Sequence, residues 1–171
     1  MNFRSININF IAVHLLAMLL MLLGAREVFL FFNPKVIEGF YLFGETEKAA
    51  EYIYKGETAP VGNFVSNYLY GLLYSSLAGV AISLFVTWKI ANGNRVHWLN
   101  LVFLSIVGLF CSFLFTRIRF NFHQLSNYFF DFYGLIGVKE VLLLNALLLL
   151  IASFYILIWA KNKKDFYQHS T

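Results

Sequence analysis

The chain has 171 residues, of which 60% are hydrophobic, 19% aromatic and only 13% charged. Soluble domains carry about 25% charged residues, and disordered chains are poor in aromatics, so both classes are excluded. The net charge of +4 is spread over separated connections, with no basic block of the kind that tracks nucleic acid. What remains is an integral membrane protein, with room for about four spans of roughly 20 residues each.

The expected fold is all-α: a polytopic bundle of four transmembrane helices forming a single transmembrane domain over residues 1–171. Helices are the expected form because lipid offers the backbone no outside hydrogen-bond partners. The apolar runs do not alternate as the strands of a membrane barrel would. The first span covers residues 6–32, interrupted by His14 and ended by Asn33-Pro34, since proline cannot continue the helical ladder. Met1-Asn2-Phe3-Arg4 has the look of a signal-peptide start. The apolar run after it is too long and lacks a small-residue cleavage site, so a retained span is expected. The remaining spans cover 64–90, 96–116 and 138–160.

Span two carries small residues every fourth position: Gly71, Ser75, Gly79 and Ser83. All four lie near one helix face, where a neighbouring backbone can approach closely. The stripe serves either packing inside the bundle, the preferred expectation, or a dimer contact. Ser105, Gly108 and Ser112 repeat it more weakly in span three, and Asn92-Gly93-Asn94 is a short turn between the two. Together they suggest that spans two and three form a close antiparallel hairpin.

Residues 33–63 and 118–137 form two extramembrane segments on the other side. The first is expected to hold an interfacial helix over 45–55, with Glu51 and Lys55 paired at i,i+4 and Gly56 as its stop. The second is dense in phenylalanine and tyrosine, from Phe120 to Tyr133, and is expected to be an interfacial segment buried against the bundle.

Four spans place both termini on one side. That side has six basic residues and one acid, and the opposite side seven bases and eight acids. The basic counts alone do not set an orientation. The Lys161-Asn162-Lys163-Lys164 cluster is a strong stop, which favours both termini in the cytoplasm of a bacterial inner membrane.

Little chemistry lies in mid-membrane. His14 is the one ionisable residue deep in a span, and Asn145 is the main polar residue of span four. Pumps and proton-coupled carriers keep charged groups there, so that class is disfavoured. A bis-histidine haem needs two histidines at one depth on facing helices, and His14, His97 and His123 do not supply them. With one cysteine, Cys111, the chain has neither an internal disulfide nor a CxxC pair. No cofactor or metal is expected.

The ionisable residues gather instead at the level where the spans emerge on the far side. Arg26 and Glu27 end span one, and Arg117 and Arg119 end span three, followed by His123. Asp131 lies in the aromatic connection, and Lys139 and Glu140 open span four. These eight residues form the candidate ligand-binding cluster. Its alternative is ordinary snorkelling and salt-bridging at helix ends. Two arginines two residues apart suit bidentate recognition of a phosphate or carboxylate. On a continuing helix they diverge by about 200°, so the site needs irregular backbone after Thr116.

The stretch Ala25-Arg26-Glu27-Val28-Phe29-Leu30-Phe31-Phe32-Asn33-Pro34 resembles a feature of small membrane proteins associated with exosortase systems in Bacteroidota. In that family an arginine and an acid near the end of span one precede an aromatic run and an Asp-Pro or similar turn. The chain has Asn33 in place of the Asp. The likeness is specific over Ala25–Pro34 and otherwise rests on the four-span layout and the lysine-rich C-terminus. It implies an accessory membrane component of protein sorting and surface processing, without an assigned reaction. Its partners would be membrane lipid and another membrane protein, and no nucleic acid is expected.

Two alternatives stand beside that accessory role. Exosortases resemble cysteine transpeptidases that use a Cys, an Arg and a His near the outer face, and Cys111, Arg117 and His123 occur in that order here. Against a small membrane enzyme of this kind, or a lipid-modifying one, Cys111 precedes Ser112-Phe113 and not a glycine-containing turn. It also sits about 9 Å along a helix from Arg117, in an apolar stretch where cysteine serves as a small hydrophobe. The other alternative is a structural subunit of a larger membrane complex.

Overall fold

A computed structural model describes residues 6–35, 48, 51–52, 61–117 and 138–163, with the side chains of 61–65, 116, 117 and 138 outside that set. It contains four long helices: α1 (Ile8–Phe32), α2 (Val61–Gly93), α3 (Trp98–Arg117) and α4 (Val138–Asn162). All four are long and apolar enough to cross a membrane, and there is no strand among the described residues. The protein is an all-α, multi-pass membrane bundle. Of the expected interfacial helix, Lys48, Glu51 and Tyr52 are described, each helical and exposed. The aromatic connection 118–137 lies outside the described residues.

Local chemistry sets the helix ends. Asn7 caps α1, its side chain accepting from the Phe10 amide at 2.9 Å and so satisfying one of the first-turn donors. At the other end the Asn33 amide donates to the Leu30 carbonyl at 2.9 Å, and Pro34 follows. Helix α2 outruns the expected span 64–90 by three residues at each end. Hydropathy falls off at Val61-Gly62-Asn63 and Ala91-Asn92-Gly93, but the helix continues through both, since a hydrogen-bond ladder does not need apolar side chains to propagate. The expected extramembrane segment therefore gives up residues 61–63 to α2.

The turn between α2 and α3 also differs from the expected Asn92-Gly93-Asn94. Gly93 is still helical, and the left-handed residue is Arg95, with φ of 55°. The Val96 amide reaches back to the Ala91 carbonyl at 3.0 Å, the long-range bond of a Schellman ending.

Helix α1 is the hub, packing most extensively against α4 and α2 and also against α3. The contacts give direction. His14 meets Thr87, Met21 and Leu22 meet Gly79, and Phe29 meets Gly71, so α2 runs antiparallel to α1. Asn7 meets Asn100, Met18 meets Gly108, and Arg26 meets Phe115, so α3 runs parallel to it. Ser153 of α4 donates to the Ala17 carbonyl at 2.7 Å, and Gly24 lies against Leu150.

Helices α2 and α3 do pack together, but the two glycines of the α2 stripe face α1 and not α3. A methyl placed on Gly79 would sit 2.7 Å from the Met21 carbonyl oxygen and 2.9 Å from the Leu22 Cα. Only glycine allows the two backbones to lie this close. Ser75 and Ser76 both return their hydroxyls to the Leu72 carbonyl, which keeps polar atoms satisfied within α2.

The polarity of the bundle is that of a protein in lipid. His14, Ser76, Ser83, Thr87, Asn100, Ser112 and Ser153 are buried, while Phe103, Ile106, Phe110, Phe113, Leu148 and Ile151 are exposed. Water would favour the reverse; hydrocarbon accepts apolar faces and drives polar groups to find partners inside.

Candidate functional site

Four described charged residues lie at the end of the bundle where α1 and α3 finish and α4 begins. Arg26 is buried and donates from Nη1 to the Phe115 carbonyl at 3.1 Å. Phe115 is in the last turn of α3, where carbonyls lack intrahelical donors and the helix carries partial negative charge. A guanidinium there satisfies an acceptor and sits in a favourable field. Glu27, half-buried, follows directly on α1.

Lys139 and Glu140, in the first turn of α4, are both exposed. The Lys139 ammonium lies 5.1 Å from the centroid of the Phe31 ring, which ties α4 to α1 at this level. Glu140 sits at the helix N-terminus, where a negative charge is favoured. Four of the eight expected cluster residues thus share one end: Arg26 and Glu27 on α1, Lys139 and Glu140 on α4.

For the other four, α3 continues one residue beyond Thr116, so the backbone at Arg117 is still helical and its side chain is outside the described set. Arg119, His123 and Asp131 lie outside the described residues. Arg26 has a more structural place than the sequence suggested, facing the end of α3 from inside the bundle. Lys139 and Glu140 present their side chains outward.

Cys111 is half-buried and packs against Met18, Leu22 and Val80. His14 is buried at 1% exposure, with Nδ1 3.0 Å from the Thr87 hydroxyl and its ring 4.2 Å from that of Phe10. Its hydrogen-bond partner is therefore on α2, while Asn145 on α4 is half-buried. Among the described residues no group of three or more His, Cys, Asp or Glu side chains is placed to hold a metal ion.

A second polar junction, at the opposite end, went unread in the sequence. The Asn7 amide donates to Asn100 Oδ1 at 2.9 Å, and Asn100 Nδ2 donates to the His97 carbonyl at 3.0 Å. Asn7, three residues before Phe10, carried a legible capping signal; its pairing with Asn100, 93 positions away, carried none.

The chain matches no protein-family model, and neither a curated protein nor a solved structure shows significant similarity to it.

Proposed function

We propose that the protein is a non-enzymatic accessory component of a bacterial inner membrane. It would bind a membrane-protein partner or a lipid-linked substrate at the face where α1 and α3 end. The observation that carries this reading is the convergence of Arg26, Glu27, Lys139 and Glu140 on one end of the bundle. Arg26 braces the end of α3, and the exposed Lys139 and Glu140 remain outward for a partner. The resemblance of Ala25–Pro34 to exosortase-associated proteins supports a place in protein sorting or surface processing. Both termini are assigned to the cytoplasm, which puts this face outside.

The packing of Cys111 with Met18, Leu22 and Val80 supports a space-filling role for that thiol over the transpeptidase alternative. The test replaces Lys139 and Glu140 together by Gln and compares co-purifying membrane proteins and lipid-linked species with wild type. Loss of a specific partner is expected. An unchanged set of partners, with the variant inserted and folded, refutes binding at this face.

A further inference from the structure

The opposite end of the bundle, where α1 and α3 begin and α2 and α4 finish, carries a different arrangement. All three tryptophans of the chain are there: Trp88 near the end of α2, Trp98 opening α3 and Trp159 near the end of α4. Their depth is set by the core cluster of Phe10, Ile90, Ala91, Leu104 and Leu157, which joins all four helices at this level. The three residues are 47%, 63% and 38% exposed, so each of three helices presents a tryptophan outward at this end.

Cations accompany the rings. Lys89 Nζ lies 4.7 Å from the Phe85 centroid and Lys163 Nζ 5.7 Å from the Trp159 centroid. Arg95 and Lys161 are exposed beside them. No Asp or Glu occurs among the described residues of this end. The other end interleaves both signs; the described charges of this one are all positive. Indole rings settle at the headgroup level, and lysine stems lying along aromatic faces hold their ammonium groups there. On this side of the chain bases outnumber acids six to one, Asp165 being the single acid, and such an excess of positive charge at headgroup depth favours phosphate as counter-ion.

We infer that this collar is a binding surface for anionic phospholipid headgroups: the tryptophans set the depth and Lys89, Arg95, Lys161 and Lys163 select the charge. The surface is distinct from the proposed partner-binding face, and it stands or falls separately. A cation close to an anionic headgroup enriches that lipid about fivefold over a zwitterionic one.

Every tryptophan lies in the collar, so tryptophan emission, excited selectively over that of the ten tyrosines, reports on it alone. The full chain is reconstituted in phosphatidylcholine vesicles containing, at equal mole fraction, brominated phosphatidylglycerol or brominated phosphatidylcholine. The anionic lipid is expected to quench several-fold more strongly. That excess should shrink at about 1 M salt, where the screening length is about 3 Å. It should also vanish in the Lys89→Gln, Arg95→Gln, Lys161→Gln, Lys163→Gln variant. Should the fourfold variant fail to insert, Lys89→Gln and Lys163→Gln are read singly, each lowering the excess. Equal quenching by the two lipids in the wild type overturns the inference, as does an excess that neither salt nor the substitutions reduce.

Discussion

At the scale of single residues, three polar side chains of this bundle are held by specific partners on other helices. Arg26 is spent on the last turn of α3, His14 on Thr87, and Ser153 on the Ala17 carbonyl. Arg95 has the opposite character, since its backbone is costly. A non-glycine residue in the left-handed region loses about 1 kcal/mol or more, and the position it holds is the one glycine prefers after a helix. Arg95→Gly is therefore expected to raise the stability of the bundle in detergent by about 1 kcal/mol, read from its unfolding midpoint. A fall in stability would mean that the Arg95 side chain contributes more than its backbone costs.

At the scale of elements, the α1–α2 contact decides how tightly the bundle closes. The methyl of Gly79→Ala would meet backbone atoms of α1, the Met21 carbonyl oxygen at 2.7 Å and the Leu22 Cα at 2.9 Å, so relief requires the helices to part. Overpacking of this kind costs about 1–3 kcal/mol. Gly93 is the matched control, because a methyl there meets nothing within 4 Å. Unfolding in detergent should show Gly79→Ala markedly destabilised and Gly93→Ala close to wild type. Equal effects at the two positions would remove the close approach from the account. Gly71 and Gly108 face the side chains of Phe29 and of Met18 and Val80, which can shift, so substitutions there should be milder.

At the scale of the whole molecule, the two ends of the bundle differ in charge and chemistry. One end collects mixed charges around α1, α3 and α4; the other combines tryptophans with charges that are all basic among the described residues. Basic residues near short loops favour the cytoplasmic side, where anionic lipids are also most abundant in effect. Helix α4 ends on the tryptophan side, so a reporter that works only after export, fused at Thr171, is expected to be inactive. An active exported reporter reverses the proposed orientation and places the mixed-charge end inside.

Composition and apolar run length alone identified a four-helix membrane protein, because crossing about 30 Å of hydrocarbon demands long apolar helices whatever their partners. Run length also located α1 and α4 closely; it fell short at α2, where helix continues into polar sequence. It placed Arg26, Glu27, Lys139 and Glu140 near one level, since depth follows from counting along a span. Which of them points inward was not legible: that depends on helix rotation, and Arg26 turns toward α3 because the end of that helix offers it an acceptor. The partners of His14 and Asn100, and the choice of α1 as the hub, likewise came only from the tertiary structure. The two hydrogen bonds join residues 73 and 93 positions apart across helix interfaces, and no local periodicity encodes such a meeting.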